Sequence, residues 1–330
     1  MPATESTSIA PQPRRAPQSS PWQRAFVGSQ GLRAGWRLLI FVLLVVVLGL
    51  AASIVLRRVA GSMGTDFTIT NVVLSELVKF GIVLIASLVM ARFERRNIAN
   101  YGLPFRLAFQ RQFWMGALWG FVMLSFIVAL MAAAHVYSTG AIVLSPGMAV
   151  EYALGWAVAF LLVGFFEEFA LRGYPQFTIT TGLGFWPAAA ITSIVFASGH
   201  IFNPGENLVG VIEIVLIALF LCTALRRTGN LWFAIGWHMA FDWGESYFYS
   251  TPNSGIHAVG HLFNASLTGS RWLSGGTVGP EASVFDLIVT VAGILLLAKV
   301  YPEAKYPAPR ASSEALSPES SAPVHQMPSC

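Results

Sequence analysis

The chain has 330 residues, 55% of them hydrophobic and only 11% charged, with a mean hydropathy of +0.63. A soluble domain is usually about 25% charged, so there are too few charges here to coat a water-facing surface, and the composition selects an integral membrane protein. The net charge of +4 does not indicate nucleic acid, because Lys and Arg sit between apolar segments and form no basic run interleaved with aromatics.

Residues 1–30 are polar, rich in Ser, Pro and Gln, and basic at Arg14, Arg15 and Arg24. Such a segment cannot bury enough apolar surface to fold, and it is expected to be a disordered tail. Eight apolar segments follow, at about 36–56, 69–91, 113–135, 149–171, 185–203, 208–225, 230–249 and 283–300. A spanning helix needs roughly 20 mostly apolar residues. The expected fold is therefore all-α, a polytopic membrane helix bundle over residues 31–301 with about eight transmembrane helices. Residues 302–330 read as a second disordered tail. The basic loop at 92–112 carries Tyr101, Phe105, Leu107 and Phe109; it suits an interfacial segment or an ordinary cytoplasmic loop. Cys222 and Cys330 supply neither a disulfide framework nor metal-ligand spacing.

Charge placement orients the bundle. With a cytoplasmic N-terminus, the inner loops hold Arg92, Arg95, Arg96, Arg106, Arg111, Arg172, Arg226 and Arg227, and the outer loops only Arg57, Arg58 and Arg271. That bias predicts both termini in the cytoplasm of a multi-pass protein of the plasma membrane.

Ionisable groups near the bilayer centre cost about 2.5–3.5 kcal/mol each on insertion scales, so each needs a reason. Glu76 and Lys79, three apart on one helix, read as an ion pair. Glu213 stands alone in its span. The fourth span ends Glu167-Glu168-Phe-Ala-Leu-Arg172, with Glu168 and Arg172 one turn apart and Glu167 rotated about 100° onto another face. The fifth contains Phe196-Ala-Ser-Gly-His200 followed by Asn203, where Phe196 packs beside the imidazole and the small residues admit a neighbouring backbone. In the seventh, His238 and Asp242 share a face one turn apart, with Glu245 further along the same stripe. A carboxylate beside an imidazole fixes its tautomer.

Amide hydrolysis by water needs a base, donors for the oxyanion and a proton for the leaving amine. Glu167 can be the base. His200 and His238 can orient water, donate to the oxyanion or bind zinc. No Ser or Cys stands in a nucleophile motif such as G-x-S-x-G, which favours directly activated water over an acyl-enzyme.

At these residues the sequence resembles the CAAX protease and bacteriocin-processing family of intramembrane proteases, relatives of the type II CAAX prenyl endopeptidase. The family's three motifs correspond to Glu167-Glu168-Phe-Ala-Leu-Arg172, Phe196-Ala-Ser-Gly-His200 and His238-Met-Ala-Phe-Asp242, within about residues 150–245. The resemblance implies a membrane endopeptidase with a catalytic cavity open to the membrane or the cytosol. Its substrate would be a membrane-associated protein or peptide, with no nucleic-acid partner. By carry-over, Glu167 activates the water with His200 assisting, His238 and Asp242 stabilise the oxyanion, and Arg172 holds Glu168, with Phe196 and Asn203 in support. Position 242 is Asp where the prenyl-protein protease has Asn, so Asp242 is expected to orient His238. No cofactor is expected; the alternative is zinc on Glu167, His200 and His238. Two competing readings are a non-catalytic peptide-binding or bacteriocin-immunity protein and, with Glu76, Glu213 and Glu245 lining a path, a transporter. One tension follows from the spans: Glu167 falls near the inner end of the fourth and His200 near the outer end of the fifth. Cooperation then requires the fifth span to be broken or displaced, or its boundaries to lie elsewhere.

Overall fold

The computed structural model describes residues 26–28, 31–60 and 67–306. The expected N-terminal tail lies outside the described residues up to position 25, as does the C-terminal tail from position 307. Between them the chain is a helical bundle. A two-residue hairpin, β1 (Val27–Gly28) with β2 (Gly31–Leu32), precedes α1 (Ala34–Ala60). This helix is apolar on every face and only 6% of its most apolar window is buried, as expected for a helix at the lipid boundary.

The next helices carry clear local start and stop signals. The Thr68 side chain accepts from the Asn71 amide at the start of α2 (Ile69–Glu94), and Arg95 ends that helix in the left-handed conformation. After α3 (Arg111–Ala133) and the short strand β3 (Tyr137–Ser138), Ser145 caps α4 (Pro146–Arg172), with Pro in its first turn. α5 (Tyr174–Leu183) and α6 (Phe185–His200) follow with single glycines between elements. Asn207 caps α7 (Leu208–Thr228), which Gly229 closes at φ +90°. α8 (Trp232–Trp243) runs into a π-helical turn at Gly244–Phe248. The loop that follows contributes β4 (Ser266–Leu267), paired antiparallel with β3, and the one-turn α9 (Arg271–Ser274), before α10 (Val284–Val300).

Among the described residues five stretches are long and apolar enough to cross a membrane: α1, α2, α3, α4 continued by α5, and α7. The all-α membrane bundle is therefore as the sequence predicts. Helices stand at the other three expected positions, but α6 has 16 residues, α8 has 12 and α10 has 17. α8 needs no lipid-length apolar surface of its own, because ten of its twelve residues are buried. Glycines make that burial possible. An added Cβ at Gly116 or Gly120 of α3 would fall 2.0 Å from the Phe233 carbonyl oxygen or 2.3 Å from that of Trp237, and one at Gly236 2.1 Å from that of Phe113. The α3 and α8 backbones thus touch, the small-residue packing that membrane helices use in place of a hydrophobic drive. The ordered bundle also extends past position 302, where the tail was expected to begin. Tyr306 is buried, and the Lys305 and Tyr306 amides both donate to the Arg226 carbonyl.

The turn after the fourth span corrects an expectation. The chain does not reverse near position 172; it continues through Gly173 into α5 and reverses at Gly184, at φ +87°. Two cross-contacts fix the register of α6 against the preceding arm. Thr192 donates to Gln176 at 2.6 Å, and the Arg172 guanidinium lies 4.9 Å from the Phe196 ring centroid. In both pairs the residues are equally far from the Gly184 turn, eight positions in the first and twelve in the second. Continued by one more turn, this register sets His200 opposite Glu168. The conflict in depth arises from ending the fourth span at about 171, and the longer arm removes it.

Candidate active site

α4, α6 and α8 each bring one motif to a common cavity of about 440 Å³, whose walls include Glu167, Phe196, His200, Asn203, His238 and Asp242. Glu168 and Arg172 lie behind this wall, both fully buried and joined by an Arg172 Nη1–Glu168 Oε1 contact of 3.0 Å. The 100° rotation between consecutive helical residues is what divides the acidic pair, with Glu167 in the cavity and Glu168 in the protein.

His238 is the centre of the arrangement. Its Nδ1 donates to Glu168 Oε1 at 3.0 Å. Its Nε2 faces the cavity, 3.4 Å from Glu167 Oε2 and 3.5 Å from Asp242 Oδ2. These last approaches are longer than a formed N–H···O bond. They leave Nε2 available to a third atom between the two carboxylates. The sequence reading gave the orientation of His238 to Asp242. The structure adds Glu168, itself fixed by the buried Arg172, as the shorter contact at Nδ1, while Asp242 stands beside Nε2.

His200 is fixed through its other nitrogen. Its Nδ1 lies 2.9 Å from the Phe196 carbonyl oxygen, one turn back, and its ring meets the Phe196 ring edge-on at 4.6 Å. With Nδ1 donating to that carbonyl, Nε2 is the free edge. The opposite contact of Phe196 is with Arg172. One unbroken series of contacts therefore runs His238, Glu168, Arg172, Phe196, His200, and it joins the three motifs. Asn203 lines the cavity and donates its amide to the His200 carbonyl.

The expected Glu76–Lys79 ion pair forms at 2.6 Å. It stands on the wall of this same cavity, with the Lys79 ammonium 5.3 Å from the centre of the Phe166 ring. Glu245 is buried but does not line the cavity. Sequence reasoning missed Asn253, Ser254, Glu281 and Asp286, all of which line the cavity. The first three lie in the loop after α8. The signal for Asp286 was Thr290, one turn on, whose hydroxyl donates to it at 3.2 Å.

Residues 149–244 match the family model of the Rce1-like proteins, type II CAAX prenyl endopeptidases. The matched stretch holds all three motifs and coincides with the segment on which the sequence resemblance rests. No curated protein matches the chain. With the apolar helices, the match supports an integral membrane protein whose residues 149–244 are similar to CAAX-type proteases.

Proposed function

We propose that the protein is an intramembrane endopeptidase that cleaves a membrane-associated protein or peptide with water activated by Glu167. The observation that carries this reading is the meeting of Glu167, His200 and His238 around one cavity while Glu168 and Arg172 are withdrawn behind it. Glu167 takes a proton from water as the water oxygen bonds to the scissile carbonyl carbon, and His200 Nε2 orients that water. The carbonyl oxygen gains charge facing His238 Nε2, held in place through Nδ1 by Glu168. When the C–N bond breaks, the proton on Glu167 passes to the leaving nitrogen. Asp242 borders the Nε2 edge and sets the direction in which it donates.

No step is routed through zinc. Among the described residues no three of His, Cys, Asp or Glu are arranged to hold an ion. The reading also takes eight crossings, with both termini in the cytoplasm of a plasma membrane. It is supported by the excess of arginine in alternate segments between helices, with Arg92, Arg95, Arg96, Arg106, Arg111, Arg226 and Arg227 against Arg57, Arg58 and Arg271.

The test is cleavage of lipid-anchored peptides by the purified protein in liposomes. Glu167→Gln and His200→Ala each abolish turnover while thermal unfolding stays cooperative, a loss of about 100-fold or more. Turnover at the native rate in either variant overturns the mechanism. Activity that survives exhaustive chelation fits the metal-free route; activity lost on chelation and restored by zinc removes it.

A further inference from the structure

The cavity has a second polar end that the hydrolysis does not use. Glu213 from α7, Glu281 from the loop and Asp286 from the first turn of α10 line it together. Glu281 is held in place, its Oε2 accepting from the Ser254 amide at 2.8 Å and the Ser254 hydroxyl at 2.9 Å. Glu213 is not held in this way. It is 1% exposed, it faces the cavity, and its polar neighbours are the Asp286 carboxyl, itself an acceptor, and Thr290, whose hydroxyl is already committed to Asp286. Asp286 is fully buried.

The charge balance of the whole cavity leans the same way. Six carboxylates line it: Glu76, Glu167, Glu213, Asp242, Glu281 and Asp286. Of the cationic groups on the lining, the Lys79 ammonium is bound to Glu76, and His238, which donates from both nitrogens in the hydrolysis, lies among Glu168, Glu167 and Asp242. Buried carboxylates are normally paired or hydrogen-bonded, so a cavity built in this way is complementary to a cation entering from outside. With no three of these groups arranged around a single ion, the fitting partner is an extended donor such as an ammonium or guanidinium on a flexible stem, whose several N–H groups can reach separate oxygens.

We propose that Glu213, Asp286 and Glu281 form a specificity site that receives a positively charged group of the substrate, and that the enzyme selects peptides with a basic residue or free amino terminus near the cut bond. This deepens the protease reading and rests on it for the place of the scissile bond. The cation seats in the acidic end while the peptide carbonyl lies between Glu167 and His238.

The experiment uses the full-length protein in liposomes and quenched, lipid-anchored peptides that differ only in Lys, Arg or norleucine at one position flanking the cut bond. Each is made with a free and with an acetylated amino terminus, which separates a side-chain cation from a terminal one. At one position, or at the free terminus, kcat/KM is expected to be at least tenfold higher for the cationic peptide, as a charge-assisted hydrogen bond implies. In the Glu213→Gln/Asp286→Asn double variant that ratio falls to near one. Because the ratio is taken on one enzyme sample, a smaller folded fraction cancels. Equal turnover of cationic and neutral peptides, or a ratio that persists in the double variant, overturns the inference and leaves the protease reading standing. A binding arm does not depend on hydrolysis. Hexylammonium is expected to raise the unfolding temperature of the native protein relative to hexanol, and to do so less in the double variant. If no peptide is cleaved, that shift still supports a cation site while the protease reading fails, and its absence overturns the site.

Discussion

The two ends of the cavity treat buried charge in opposite ways. At the motif end opposite charges meet: Arg172 on Glu168, Glu168 on His238, and His238 between Glu167 and Asp242, although Glu168 Oε2 and Arg172 Nε and Nη2 make no hydrogen bond. At the other end like charges meet: Glu213 faces Asp286, and Thr290 lies beside both. A series of paired opposite charges is rigid, and it holds the motif groups in one geometry. A cluster of like charges carries hydrogen-bonding capacity that a cationic ligand can satisfy. The first suits chemistry that must not vary between substrates, the second suits recognition.

Substitutions can break or sharpen that contrast. The largest effect is expected from Arg172→Leu, which strips the partner from a fully buried carboxylate. Removing one member of a buried pair costs about 3–5 kcal/mol, and it also frees the ring of Phe196. Thermal unfolding should show the protein severely destabilised; a stability near native would mean that the motif end is not held by its paired charges. Gly164→Ala ranks next. Its Cβ would lie 3.1 Å from the Ile235 carbonyl oxygen and 3.4 Å from His238 Cβ, so α8 must shift by a few tenths of an ångström at the catalytic level. Misplacement on that scale should lower kcat by about tenfold, with a much smaller loss of unfolding temperature.

Glu213→Met tests the other end, and the sign is reversed. Removing a buried carboxylate whose main neighbour is another carboxyl relieves a desolvation cost of about 1 kcal/mol or more, so the unfolding temperature should rise. A fall would show that Glu213 has a structural partner. The smallest effect belongs to His257 in the loop between α8 and α10, outside both ends. Burial, and then the charge of His261, hold its imidazole below the ordinary range. A lowered histidine favours the unfolded chain as a proton acceptor. Stability is therefore full above the ordinary histidine range and declines as pH falls through it. Because His257 is largely exposed, the decline should be slight; it should flatten in His257→Gln, measured as unfolding temperature between pH 7 and pH 5.

Much of this molecule was legible in the residues. Composition alone requires a membrane bundle, and apolar run lengths place its helices, because the hydrocarbon thickness imposes a length that polar residues interrupt. The acidic pair was separable into one exposed and one buried carboxylate by helical rotation. The α5–α6 hairpin was hidden because Gly173 and Pro175 look like the end of a span, when they open a second helix instead. The Glu168–His238 contact was hidden because it crosses between helices seventy positions apart, and no local spacing encodes it. Glu281 and Asp286 were passed over because carboxylates in loops and first turns are ordinary where water is expected, and only the tertiary fold reveals that these two are enclosed.

The hairpin at Gly184 has a final consequence, which concerns length. Its turn is a single residue, so it has no slack to absorb a change in either arm. One residue inserted between Gly184 and Phe196 would advance His200 by about 1.5 Å and rotate it by about 100°, away from Glu167, without altering any motif. The hairpin works like a vernier. Two scales slide past each other far from the mark, and one division of error at the zero is read in full at the catalytic level.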